Sequence, residues 1–129
     1  MALGQSVHFE NSLKTAFEKA KQENKPVFIE YYNSECPVCR KLEPYFSDAR
    51  MGDFYNTHFV NYKLNTKDMI KEDSLFMAKS GIKFTHVPYF LFFDANQKFL
   101  HYSDTKPEVD YLIEIGIKAL NPVERDANL

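Results

Sequence analysis

The stretch Glu30–Glu43, with the sequence EYYNSECPVCRKLE, holds both cysteines of the chain. Cys36 and Cys39 are separated by two residues. The apolar run Val27–Ile29 directly before this stretch is typical of a buried strand, and a helical pattern begins at Pro37. A C-x-x-C pair at a strand-to-helix junction indicates a redox-active dithiol.

The two cysteines are expected to play different parts. Cys36 would lie at the N-terminus of the helix, where unpaired N–H groups and the helix dipole stabilise an anion, so its thiol ionises near neutral pH. The thiolate is the attacking species in disulfide exchange, and Cys39, one helical turn on, is placed to resolve the mixed disulfide. The alternatives are a structural disulfide, a pair of inert thiols and half of a zinc site. We predict no metal, because zinc needs four ligands and the histidines lack the paired spacing of zinc sites; they are His8, His58, His86 and His101.

Length and composition bound the class of protein. The chain fits one domain over residues 1–129, with 1–6 and 122–129 as loose tails. A formal net charge of -2 gives no reason to expect nucleic acid as a partner. No apolar run approaches the roughly 18 residues of a membrane span, and residues 1–6 lack the pattern of a signal peptide, so we expect no membrane insertion. Two cysteines this close cannot link distant segments, which excludes the disulfide-scaffold class.

Hydrophobic periodicity and turn residues predict the elements on both sides of the cysteines. Asn11 or Ser12 is the expected N-cap of the first helix, and Thr105–Glu108 is a capping box for the last one. The predicted helices are 12–23, a segment from Pro37 that bends or ends at Pro44, Met51–Asn56, Asp68–Ser80 and a last helix after the capping box. The predicted strands are Val7–Phe9, Val27–Tyr32, Phe59–Leu64, Tyr89–Phe93 and Lys98–Ser103.

Several of these helices have a predicted core face, which in the first helix consists of Leu13, Ala16, Phe17 and Ala20. Gly81 is the expected stop of the helix Asp68–Ser80. The predicted core residues are Met69, Ile70, Leu75, Phe76, Met77 and Ala78 in that helix, and Val109, Leu112, Ile113, Gly116, Ile117 and Leu120 in the last one.

Glu30 interrupts the apolar run of its strand, and a buried carboxylate is costly unless it is paired. It is therefore either functional or on a wet face of the sheet. The order of elements, with C-x-x-C after a buried strand, resembles the thioredoxin family over nearly the whole chain. In this resemblance Glu30 falls at the family's buried acid, Lys63 at the lysine that pairs with that acid, Pro44 at the proline that kinks the active-site helix, and Val87–Pro88 at the cis-proline.

The resemblance implies an α/β protein with the thioredoxin fold, a central mixed sheet of four or five strands flanked by helices. It implies that Cys36 is the nucleophile and Cys39 the buried resolving thiol. Glu30 is the implied base for Cys39, Glu43 is a second candidate base one helical turn from it, and Lys63 completes the catalytic set. The implied substrate groove, in which the backbone of an extended substrate pairs beside the cis-proline, consists of Tyr32, Pro37, Val38, Val87 and Pro88.

The sequence departs from the thioredoxin pattern in four places. Glu30 is one methylene longer than the usual Asp. Glu35 stands where thioredoxins have Trp, and its negative charge would oppose the Cys36 thiolate. Phe84–His86 lengthen the loop before the cis-proline and predict a bulge there. Pro37–Val38, between the cysteines, lacks the His of strongly oxidising relatives, which favours a reductant.

We therefore predict a monomeric thiol–disulfide oxidoreductase that reduces protein disulfides and is re-reduced by a reductase or a membrane electron donor. Beyond the redox-active disulfide Cys36–Cys39, we expect no metal or organic cofactor. The alternatives are a disulfide oxidase or isomerase on the same fold, and a redox-idle binding module. Glu23–Phe28 and Glu43 resemble a branch of exported thioredoxin-like proteins that includes the C-terminal domain of the DsbD transmembrane reductase, which favours a periplasmic over a cytoplasmic location.

Overall fold

The computed structural model describes residues 5–83, 86–104 and 108–123. Its helices and strands follow the order predicted from the sequence, except that no strand precedes the first helix in this part of the chain. The elements are α1 (Leu13–Glu23), β1 (Val27–Tyr32), α2 (Pro37–Leu42), a 3₁₀ helix (Glu43–Ser47), α3 (Ala49–His58), β2 (Val60–Asn65), α4 (Lys71–Ser80), β3 (Tyr89–Phe93), β4 (Phe99–Ser103) and α5 (Val109–Leu120).

The four strands form one mixed sheet in the order β2-β1-β3-β4. β1 runs parallel to β2, with Glu30 beside Lys63, and antiparallel to β3, with Tyr31 beside Tyr89. β4 runs antiparallel to β3. The carboxyl ends of β1, β2 and β4 therefore meet the start of β3 at one end of the sheet. The predicted α/β thioredoxin fold is confirmed, with four strands rather than five in the described residues.

The predicted strand at Val7–Phe9 is wrong. Phe9 makes a single isolated bridge to Asn61 at the side of β2. Val7 instead donates its N–H to the carbonyl of Phe46 at 2.8 Å, away from the sheet. The segment is held by separate hydrogen bonds to different elements, which cannot form the repeated ladder of a strand.

α1 begins and ends at the residues that the sequence predicts. The Ser12 side chain accepts the N–H of Thr15 at 3.0 Å, which satisfies one of the unpaired donors of the first turn. Asn24 takes a left-handed conformation with φ of 54°, and its N–H donates to the carbonyl of Ala20. The chain then turns directly into β1.

The helix that follows Cys36 is interrupted as the sequence predicts. α2 ends at Leu42, and the chain continues as the 3₁₀ helix. Pro44 causes the change because it has no N–H to donate to the carbonyl of Arg40, so the α-helical bonding cannot continue. Glu43 lies at this junction, one turn after Cys39.

The sheet divides the core in two, because neighbouring residues of a strand point to opposite faces. Phe28 and Phe92 pack with α2, α3 and α5 on one face, whereas Ile29 and Leu91 pack with α1 and α4 on the other. All four side chains are fully buried. Glu30 has the same parity as Phe28, so its carboxylate points toward α2 and α3.

The predicted core face of α4 is partly wrong. Ile70, Leu75 and Ala78 are exposed, whereas Asp73, a polar residue outside the predicted face, is buried. The Tyr62 hydroxyl lies 2.8 and 3.0 Å from the two carboxylate oxygens of Asp73. This hydrogen bonding lets α4 turn a charged residue toward the sheet and leave apolar side chains outside.

The predicted face of α5 is also displaced. Ile117 and Leu120 are exposed, and Ile115 and Ala119 are buried in their place. The helix packs through Gly116, where an added Cβ would lie 2.5 Å from the ring of Phe54 on α3. Because α5 approaches α3 most closely at Gly116, the helix face that contains Gly116, Ile115 and Ala119 is the buried one.

Three further predictions fall wholly or partly outside the described residues. They concern the capping box Thr105–Glu108, the bulge Phe84–His86, and the tails 1–6 and 122–129. Glu108 itself is the extended residue before α5 and makes no side-chain capping bond.

Candidate dithiol site

The loop before the cysteines is fixed at the end of the sheet where β1 and β2 finish. The Cys36 N–H donates to the Asn33 carbonyl at 3.0 Å, and the Glu35 N–H donates to the Asn33 side chain at 2.8 Å. Asn65, at the end of β2, accepts the N–H of Ser34 at 3.2 Å. These bonds place Cys36 directly before the first turn of α2.

Cys36 is the N-cap residue of α2, and its sulfur accepts the Cys39 N–H at 3.3 Å. Partial burial alone would raise the pKa of Cys36. Hydrogen bonds from the Cys39 thiol and from the N–H groups of Cys39 and Val38 outweigh this burial and lower the pKa of Cys36 below its usual value. The Cys36 thiolate is therefore the favoured nucleophile of the pair.

Cys39 lies beneath Cys36 and is 1% exposed. The pKa of Cys39 is raised to about 12, chiefly by burial. The backbone at Asn33 lowers it, and the neighbouring Cys36 and Glu30 contribute to the rise. At neutral pH Cys39 therefore holds its proton, and a base must remove it before it can attack.

Glu30 is the buried acid of the site. The alternative that Glu30 lies on a solvent-exposed face of the sheet is wrong. Its side chain is fully buried, and neither of its oxygens has a hydrogen-bond partner among the described residues. Burial raises the pKa of Glu30 well above its ordinary value. The negative charge of Glu43 raises it as well, and Lys63 opposes this. Only a protonated Glu30 could donate a hydrogen bond to Glu43, which also favours the protonated form.

Lys63 forms its ion pair with Glu43. The resemblance to thioredoxins predicts Glu30 as the partner of Lys63, and that prediction is wrong. Its ammonium group also lies 4.8 Å from the ring centre of Tyr32 and 5.5 Å from that of Phe9. Glu43 is 37% exposed whereas Glu30 is fully buried. An ion pair with Glu43 therefore removes less charge from water than one with Glu30, which explains the choice of partner.

The charge of Glu35 is offset by a neighbouring lysine. Lys67 lies 2.5 Å from the Glu35 carboxylate, and both side chains are exposed. The pKa of Cys36 is lowered in spite of Glu35, because hydrogen bonds from Cys39 and Val38 act on the sulfur itself. The expected opposition between Glu35 and the thiolate is therefore not the dominant influence on Cys36.

The residues predicted for a substrate groove lie at the same end of the sheet. The Val87–Pro88 peptide bond is cis, and it comes directly before β3, which pairs with β1. Val87 and Tyr32 are half-buried, whereas Pro37 and Val38 are exposed on the first turn of α2. Pro88 is buried. The structure thus brings the catalytic candidates into one cluster, with Pro37 and Val38 exposed beside it and Pro88 buried at the start of β3.

Residues 2–113 match the model of a family described as Thioredox_DsbH, protein of unknown function, DUF255. The chain belongs to this family. Rat spermatogenesis-associated protein 20 is 33% identical over 64 residues, which cover 49% of this chain and 8% of the rat protein. The chain thus spans a small fraction of the length of this curated relative.

Solved structures support the fold assignment of this Thioredox_DsbH chain. A DsbH oxidoreductase superposes with a TM-score of 0.75 at 19% identity, covering 92% of this chain and 88% of that one. Poplar thioredoxin h superposes with a TM-score of 0.63 at 17% identity, covering 90% and 97%. At these identities the likeness establishes the thioredoxin fold.

Sequence reasoning missed the residues that hold the rim of the site in this family member. They are Asn33 and Asn65, which fix the loop, Lys67, which pairs with Glu35, and Asp104, whose carboxylate lies 3.0 Å from the ring of His86. Three of them directly follow or end a strand at the cysteine end of the sheet. That shared position is the signal that could have identified them.

The described part of the chain shows no cluster of three or more His, Cys, Asp or Glu side chains that could hold a metal ion. Nor does that part contain a helix long and apolar enough to cross a membrane.

Proposed function

We propose that the chain is a thiol–disulfide oxidoreductase that reduces protein disulfides through Cys36 and Cys39. The observation that carries the proposal is the asymmetry of the two thiols. Cys36 accepts hydrogen bonds at the head of α2 and has a lowered pKa, whereas Cys39 is buried beneath it with a raised pKa. An accessible nucleophile above a buried resolving thiol is the arrangement that two-step disulfide exchange requires.

In the first step the Cys36 thiolate attacks one sulfur of the substrate disulfide. A bond forms between Cys36 and that sulfur, and the substrate disulfide breaks. The other substrate sulfur leaves as a thiolate and takes a proton from solvent. The backbone beside Pro88 is the candidate surface for the substrate segment, with Tyr32, Val38 and Val87 around it.

In the second step Cys39 gives up its proton, and its thiolate attacks the sulfur of Cys36. The Cys36–Cys39 disulfide forms, the mixed disulfide breaks, and the second substrate sulfur leaves as a thiolate. Glu30 is the proposed base because it is buried near Cys39, and its negative charge raises the pKa of the Cys39 thiol. Two electrons have then passed to the substrate, and a reductase or a membrane electron donor must return two electrons to the pair.

Single cysteine variants test this order of events. Cys36→Ser should abolish the reduction of insulin by dithiothreitol-coupled turnover, because the nucleophile is lost. Cys39→Ser should instead accumulate mixed disulfides with substrate, detectable by mass spectrometry, because the resolving thiol is lost. Undiminished turnover by Cys36→Ser would contradict the proposed nucleophile, and failure of the unsubstituted protein in every redox buffer would favour a redox-idle binding module.

A further inference from the structure

Three buried carboxylate oxygens at the site lack any hydrogen-bond partner in the described residues. They are both oxygens of Glu30 and Oε1 of Glu43. Buried acceptors are nearly always hydrogen-bonded in folded proteins, so three orphans in one place require an explanation. Two ionised carboxylates cannot supply it, because each would be an acceptor only.

The second oxygen of Glu43 is already occupied. Oε2 of Glu43 accepts the ammonium group of Lys63, which the rings of Tyr32 and Phe9 flank. This ion pair occupies Oε2 only. It leaves Oε1 of Glu43 as a strong acceptor, facing the buried acid of β1.

We propose that Glu30 and Glu43 share one proton, and that Lys63 sets its position by pairing with Glu43. A proton on Glu30 that is donated to Oε1 of Glu43 gives both carboxyl groups a partner. Two carboxyl groups in contact share a proton for the same reason elsewhere, since like charges this close are not both ionised. Lys63 is then a positioning residue that acts on Glu30 through Glu43.

The shared proton makes Glu43 an outlet for the buried site. When Cys39 transfers its proton to Glu30, the proton already on Glu30 moves to Glu43, and the pair ends with one proton more. Glu43 is 37% exposed and can pass that extra proton to water. This consequence rests on the proposed function, whereas the sharing itself does not require turnover.

Few titratable or charged groups surround Glu30 in the described residues. Cys39 faces it from α2, Glu43 from the 3₁₀ helix and Lys63 from β2, and Tyr32 is in electrostatic range of the same cluster. The neighbour of Glu30 on β3 is the apolar Phe90. A change in Glu30 titration can therefore be traced by substituting Glu43 and Lys63, with Cys39 kept reduced.

The test is a carbon-detected NMR titration of the glutamate side chains in the reduced protein, from pH 4 to pH 10. In the unsubstituted protein the carboxyl carbons of Glu30 and Glu43 should each report two coupled steps. Glu43→Gln should collapse the Glu30 curve to one step with a lower midpoint, because the like charge is gone. Lys63→Met should move protonation from Glu30 toward Glu43, while the matched control Lys67→Met, which breaks the exposed pair with Glu35, should change neither curve.

A single independent step for Glu30 in the unsubstituted protein would overturn the proposal, even if a variant failed to fold. So would a Glu30 midpoint that is unchanged in Glu43→Gln. If Lys63→Met raises the Glu30 midpoint and leaves the Glu43 curve in place, Lys63 acts directly on Glu30 and the proposed route is wrong. Shared titration without insulin reduction would instead retain this proposal and refute the proposed function.

Discussion

The two cysteines have the same side chain and differ only in the groups around them. Cys36 accepts the N–H of Cys39, while Cys39 is surrounded by core and by the buried acid Glu30. Burial penalises the charged forms of Cys36, Cys39 and Glu30. Only Cys36 receives enough hydrogen bonds to reverse that penalty. The reactivity of the pair is therefore set by local hydrogen bonding rather than by net charge.

At this scale Glu30 should reduce stability at neutral and alkaline pH. Its pKa is raised well above its ordinary value in the folded protein, mainly by burial. Between the unfolded pKa of about 4.3 and the raised native pKa, the folded state holds one more proton than the unfolded state. The free energy of unfolding should therefore fall by up to about 1.4 kcal/mol per pH unit across that window.

Glu30→Gln should remove this loss, because the amide does not titrate. In urea titrations at several pH values, the stability of Glu30→Gln relative to the unsubstituted protein should rise steadily above about pH 4.3. The control is Glu18→Gln, which changes an exposed glutamate on α1 and should show no such slope. A stability difference that is independent of pH would show that Glu30 is not protonated by its surroundings.

At the scale of elements, the site is formed where three strand ends and the head of α2 meet. The N-terminal segment is tied to α3, because the His8 N–H donates to the Asn56 side chain at 2.8 Å and that side chain donates to the Ser6 carbonyl at 2.9 Å. The segment passes so close to α3 that a Cβ on Gly52 would lie 1.5 Å from the Gln5 carbonyl oxygen. Packing of α3 against this segment therefore depends on glycine.

Gly52→Ala should lower the free energy of unfolding by about 1–3 kcal/mol, because the clash is with backbone that cannot rotate away. Gly116→Ala is the matched control, since its new Cβ would meet only ring atoms of Phe54 and the Tyr55 hydroxyl. Both variants gain the same helix propensity, about 1 kcal/mol, so that contribution cancels between them. Chemical denaturation gives the free energy of unfolding of both variants. If Gly52→Ala were as stable as Gly116→Ala or more stable, the close packing of α3 against the N-terminal segment would be contradicted.

The elements that could be predicted from sequence are those whose signals are local. The N-cap of α1 at Ser12, the break at Pro44 and the run Tyr89–Phe93 each have a local physical cause, and the structure has them where expected. The faces of α4 and α5 could not be predicted, because burial there depends on contacts between distant residues. The hydroxyl of Tyr62 that satisfies Asp73 is one such contact.

In the candidate site, too, the local features could be predicted from the sequence and the contacts between distant residues could not. The spacing of Cys36 and Cys39 predicted the dithiol, and the resemblance to thioredoxins predicted Glu30 and Lys63 beside it. The partner of Lys63 was predicted wrongly, because Glu30 and Glu43 both lie within its reach and only their relative exposure decides between them. The relative exposure of these two carboxylates depends on how the chain packs, and hydrophobic periodicity does not predict it.

For the whole molecule, the fold and the family are settled, whereas the direction of electron flow is a proposal. The thioredoxin fold hosts reductants, oxidants and isomerases, so the fold alone does not choose among them. The pair Pro37–Val38 and the lowered pKa of Cys36 bear on that choice. The 64 residues shared with the rat relative are 8% of that protein, so its activity does not pass to this chain.

The most direct test is the equilibrium reduction potential of the Cys36–Cys39 pair in defined thiol buffers. Our account predicts a reversible two-electron titration with a potential near that of thioredoxin, about -270 mV. A potential of about -180 to -120 mV would contradict the reductant and indicate an isomerase or oxidase. The absence of any reversible two-electron titration would contradict the central claim that this dithiol exchanges disulfides.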